Sequence, residues 1–112
     1  MTKPKIIHNT ALFEALQAKA KGIDPSIRKG HMFGCPAIFH GKRMAVCVYG
    51  DVLGLKVPEA IASSYIDAGA AIPFQPYGKN PMREWIAIEG GVESIEAHIE
   101  LITTAIAYAE TR

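Results

Sequence analysis

Cysteine is scarce in this sequence, charge of either sign is nearly balanced, and long apolar runs are missing. Each shortage removes a class of protein. Two cysteines, Cys35 and Cys47, are too few for a disulfide-held secreted scaffold, and their spacing is not that of a C-x-x-C redox or zinc motif. Both are expected to be reduced and buried, as free cysteines commonly are. Lys plus Arg number 12 against 11 Asp plus Glu, and a formal charge of +1 leaves no basic footprint for a polyanion. Direct nucleic-acid binding is therefore not predicted. Residues 1–10 lack the apolar stretch of a secretory signal, and no window approaches a membrane span. The expectation is a cytoplasmic protein without membrane contact.

What is present suits one domain. A chain of 112 residues, 49% of them hydrophobic, can withdraw roughly 65% of its unfolded surface from water, so neither disulfide nor metal is needed for a core.

Asn9 or Thr10 can cap a first helix over about 10–21, in which Leu12, Phe13, Leu16 and Ala20 recur at helical spacing and Gly22 offers a stop. Asp24-Pro25-Ser26-Ile27 suits one helical turn leading into a connector that ends near Gly30. From His31 to Val57, short apolar runs are divided by His40-Gly41-Lys42 and Tyr49-Gly50-Asp51, which reads as a three-stranded meander. Alternation assigns Met44, Val46 and Val48 to one face of its second strand, and Ala45, Cys47 and Tyr49 to the other. Leu53, Leu55 and Val57 continue the apolar face in the third.

Pro58 and Glu59 open a second helix that Gly69 can close, with Ile61, Tyr65 and Ala68 as its inner stripe. Residues 72–81 hold three prolines and a glycine and read as an ordered loop, anchored by Phe74 and Tyr77. Arg83 to Ile88 alternates as a fourth strand, with Ile86 and Ile88 on one face and Trp85 and Ala87 on the other. Val92, Ile95, Ile99, Ile102, Ile106 and Ala109 mark a final helix of about 18 residues. A second line, Ala97, Leu101, Ala105 and Tyr108, widens its apolar surface, which calls for the first helix or a partner chain. The expected fold is α+β: an antiparallel β-sheet of about four strands with helices on one face, in the order α-β-β-β-α-β-α.

Candidate chemistry is sparse. His8, His31, His40 and His98 show none of the spacings that make a metal site readable from sequence, so no metal and no cofactor are expected. Both phosphate-cradling glycine motifs, G-x-x-x-x-G-K-[ST] and G-x-G-x-x-G, are absent. Cys35, between Gly34 and Pro36, reads as a small residue in a tight place, the alternative being a thiol exposed by a sharp turn. Tyr77-Gly78-Lys79 with Arg83 could hold an anion, though a lysine in a turn is usually just solvated. Glu93, Glu96 and Glu100 mark a solvated helix face. No catalytic residue is assigned, and the chain is not expected to be an enzyme.

Met32-Phe33-Gly34, then Phe39-x-Gly41-Lys42-x-Met44, Leu53-x-Leu55-Lys56, Pro73-Phe74 and Pro81-Met82-Arg83-Glu84-Trp85 occur in order between His31 and Ile88. In these pieces the chain resembles the N-terminal domain of the TfoX (Sxy) regulators, especially its short stand-alone members. The resemblance implies an α+β fold and a regulatory role, since full-length TfoX proteins promote DNA-uptake competence and carry a further helical domain. It brings no set of catalytic residues. Two readings follow. One is a regulatory or protein-interaction domain with a protein partner, for which a homodimer is the simplest arrangement. The other is a small-ligand binder or enzyme with a pocket near Cys35, Lys56, Tyr77 and Arg83. The candidate interaction or ligand residues are Phe33, Cys35, Lys56, Phe74, Tyr77, Lys79, Arg83 and Trp85.

Overall fold

The computed structural model describes residues 8–32, 34–75 and 83–111. In chain order the elements are α1 (Thr10–Ile23), β1 (Arg28–Met32), β2 (Cys35–His40), β3 (Arg43–Tyr49), β4 (Val52–Lys56), α2 (Glu59–Asp67), β5 (Ile72–Pro73), β6 (Trp85–Glu89), α3 (Glu93–Ala97) and α4 (Ile99–Thr111). The strands form one antiparallel sheet in the order β1-β2-β3-β4-β6-β5. The α+β class holds, with six strands where the sequence pattern shows four.

Both additional strands lie at sheet edges. β1 falls where a connector was expected, because Arg-Lys-Gly-His-Met has no apolar alternation and its charges suit an exposed edge. Gly30 makes its pairing possible: a Cβ there would stand 2.7 Å from the Phe39 ring. β5 is a two-residue strand inside the expected proline loop, and Pro73 is tolerated because it lies at the edge.

Asn9 begins α1, its Oδ1 accepting from Leu12 N at 3.0 Å. The same residue ties the helix to the β3–β4 turn, donating from its backbone N to Gly50 O and from its side chain to Asp51. His8 Nδ1 accepts from Gly50 N, so the neutral ring holds that turn from the other side. Gly50 has φ 61°, a conformation that L side chains resist. The helix runs one residue past Gly22, and Asp24 caps it with its N–H on Ala20 O. The expected helical turn after it is instead a turn held by Asp24 Oδ1, which accepts from the N–H and hydroxyl of Ser26.

α1, α2 and α4 cover one sheet face, and α3 packs on α1 and α4. Leu12 and Leu16 of α1 and Ile102 of α4 are fully buried with Val46, Val48, Leu53, Leu55 and Ile86 of the sheet. Each such side chain contributes about 1.5–3 kcal/mol, whereas the exposed Lys19–Glu96 pair linking α1 to α3 is worth about 0–1 kcal/mol. Apolar packing therefore holds the helix layer. Of the stripe expected on α2, Ile61 and Tyr65 pack half-buried against the core, joined by Ile66 and the buried Ala62, whereas Ala68 is exposed because it lies past the helix end. Gly69, at φ 73°, ends that helix as expected.

The single final helix is divided at His98, whose torsions (φ −121°, ψ 30°) leave the helical region. Its Nδ1 lies 3.0 Å from Ser94 O, which fixes the ring as donor there because a carbonyl only accepts. The expected wide apolar surface exists, and the protein's own sheet and α1 absorb Leu101, Ala105, Ile106 and Ala109. Val92 and Ala97 stay exposed, and Ile99 is half-buried.

Candidate functional site

The opposite sheet face carries a second apolar cluster, made from alternate residues of the strands already described. Cys35, Ala37 and Phe39 of β2, Met44 and Cys47 of β3, and Trp85 and Ala87 of β6 are buried there with Phe74 from beyond β5. Tyr49 and Val52 border it. β3 reaches this face through a bulge. Ile38 pairs with Val46 but Phe39 with Met44, so Ala45 is supernumerary and the alternation changes phase. Met44 thus lies with Cys47, opposite to its expected face, while Ala45 joins Val46 and Val48 under the helices.

Phe74 is the keystone of the cluster. Its ring lies 5.5 Å from Trp85 and meets Tyr49 edge-on at 6.0 Å, distances at which aromatic pairs attract beyond simple area burial. It reaches the sheet because β4 has Gly54 between Leu53 and Leu55: a Cβ at 54 would lie 2.9 Å from both Phe74 Cζ and Cys47 Sγ. Nearby, Glu84 accepts a hydrogen bond from the hydroxyl of Tyr108, which ties α4 to the start of β6.

Cys35 and Cys47 are unbridged and fully buried, as expected. Cys47 sits opposite Ala37, so Cys35 lies diagonally across the ladder from it. The Cys47 thiol donates to Cys35 Sγ. That bond holds the Cys35 pKa below the usual thiol range, and the same bond together with burial pushes Cys47 well above it.

Of the residues singled out in the sequence, Cys35, Phe74 and Trp85 come together in this cluster. Lys56 pairs with Trp85 across the β4–β6 ladder and is half-buried, on the strand face opposite the leucines as expected. Arg83 is exposed beyond the end of β6. Phe33, Tyr77 and Lys79 lie outside the described residues. Sequence reasoning missed Phe39, Met44 and Cys47 as members of the cluster, and Gly54 as the opening that admits Phe74. The Cys35-x-Ala37-x-Phe39 alternation was the available signal, and the bulge concealed Met44.

A separate pocket of about 220 Å³ opens at the other sheet edge, where Gly69, Ala70, Ile72, Glu89 and His98 are among its walls. Ile72, on the outermost strand, is 47% exposed. No helix among the described residues is long and apolar enough to cross a membrane.

No curated protein and no solved structure matches the chain. The family model for the TfoX N-terminal domain matches residues 21–109, which span all six strands, α2, α3 and most of α4. With that match over most of its length, the chain belongs to the TfoX N-terminal domain family.

Proposed function

We propose that this protein is a cytoplasmic, non-catalytic regulatory domain that works by binding another protein, with a second copy of itself as the simplest partner. Family membership supports the regulatory reading, and control of competence or transcription would be one use of it. The observation that carries the binding reading is the β5 edge. There a strand of two residues ends the sheet, Ile72 projects half-exposed, and a pocket adjoins it. A two-residue edge with Pro73 offers a partner's strand little to pair with, but the exposed Ile72 beside a pocket suits an apolar anchor from a partner. The final helix supplies less outward surface than its pattern suggests, because most of its apolar side chains face the protein's own core. The region around Cys35 and Trp85 is ring-on-ring packing in its described part, so the small-ligand reading gains no support there.

Light scattering at micromolar concentration, with affinity capture from the native cytosol, tests the proposal. A dimer or a reproducible protein partner, weakened at least tenfold by Ile72→Glu, is expected. A monomer that captures nothing would defeat it.

A further inference from the structure

The geometry points to a binding site for a divalent transition cation formed by Asp24, His40 and Glu110. Asp24 caps α1, His40 ends β2 and Glu110 lies in the last turn of α4, so three elements distant in sequence meet at this point. One donor atom from each side chain lies within 4.8 Å of the other two.

Two of the three are already at ligand spacing. Asp24 Oδ2 and His40 Nε2 are 3.1 Å apart. Metal bonds of about 2.0–2.2 Å at neighbouring coordination positions place two donors about 3 Å from each other. A rotamer change of the exposed Glu110 side chain closes the remaining gap. The aspartate is oriented by Ser26, which donates to Oδ1 from its N–H at 2.9 Å and its hydroxyl at 2.6 Å and leaves Oδ2 toward His40; the same hydroxyl oxygen lies 3.2 Å from His40 Nε2, a contact that a metal ion would replace. Hydrogen bonds of that kind orient ligating carboxylates in metal sites. The flanking basic side chains are directed to carbonyls, Lys21 to Pro25 O and Arg28 to Gly41 O.

An Asp24–His40 ion pair would explain two of these groups without explaining the third. Both carboxylates stand at helix C-termini, where the backbone already presents partial negative charge and cations are favoured. A second acid brought to such a place is unfavourable by itself and favourable around a cation. One imidazole nitrogen with two carboxylate oxygens suits Zn²⁺ and neighbouring transition ions better than Ca²⁺ or Mg²⁺, which take oxygen donors. Such an ion would clasp the ends of α1, β2 and α4 together.

Zn²⁺ titration of the full chain by calorimetry, paired with thermal melts, tests the site. One ion per chain is expected, with Tm raised by on the order of 10 °C at free Zn²⁺ about 100-fold above Kd, and no such response to Mg²⁺. Glu110→Gln, on an exposed side chain, and His40→Gln should each weaken binding at least tenfold. Absence of stoichiometric binding would overturn the proposal. So would affinity that is unchanged in both variants, or that is lost instead in Cys35→Ser or Cys47→Ser.

Discussion

The ring of Phe74 occupies the space that a side chain at position 54 would need, with Gly54 leaving the opening that seats it against β4. Any substituent at 54 must displace Phe74 or Cys47. Gly54→Ala should therefore cost about 1–3 kcal/mol by overpacking, and Phe74→Ala about 3–5 kcal/mol by leaving a cavity. In the double variant the new methyl enters that cavity, so urea melts should show a loss well below the sum. Strict additivity would mean that the two positions do not share this space.

Burial predicts that neither thiol reacts readily in the folded protein. Iodoacetamide at neutral pH should modify Cys35 and Cys47 slowly in buffer and rapidly in denaturant. When local opening admits the reagent, Cys35 should react first, since the Cys47 hydrogen bond favours its thiolate. Peptide mapping over a time course reads both the rate and the order. Fast labelling of Cys47 ahead of Cys35 would contradict the assigned direction of the bond.

His8 makes stability depend on pH. Partial burial lowers its pKa from the ordinary 6.5, and its neutral Nδ1 accepts the Gly50 N–H. A group whose folded pKa lies below its unfolded one binds fewer protons when folded, so its stabilisation is present above about pH 6.5 and fades as pH falls through the lower folded value. Denaturation midpoints of wild type and His8→Ala, compared between pH 5 and 8, should differ most at the alkaline end and converge toward the acid end.

Asn9 joins two jobs in one side chain, capping α1 and donating to Asp51. Asn9→Ala should destabilise by about 1 kcal/mol, mostly through the lost cap. Asn9→Asp keeps a capping oxygen but sets a carboxylate beside Asp51, so it should recover stability only in part, and more fully at high salt. Equal stability of the two variants at high salt, where that repulsion is screened, would show that the cap contributes nothing.

How far the pattern of residues discloses the fold depends on what kind of force places each segment. Leu53, Leu55, Ile86 and Ile88 alternate cleanly, and their strands and faces emerge as read. Leu12, Leu16 and Ile102 likewise lie where helical spacing puts them. β1 and β5 escape because edge pairing satisfies backbone groups without asking for apolar side chains, as Arg28, Lys29 and Pro73 illustrate. Met44 is misassigned because a bulge is decided by the neighbouring strand, and no local pattern records it. The break at His98 escapes for a similar reason, since Ile95, Ile99 and Ile102 keep their spacing across it. The Asp24–His40–Glu110 grouping is a purely tertiary product. No spacing rule links residues that meet only when the ends of two helices and a strand converge.

The sheet's two coverings are unequal, and that gives the molecule a graded response to stress. Helices secure one side over the length of several strands, while the aromatic group on the other hangs on Phe74. Thermal agitation should free Phe74 and expose Trp85 long before α4 departs. Hydrogen exchange would register this as two tiers of amide protection, shallow around β5 and Phe74 and deep along β3 and α4.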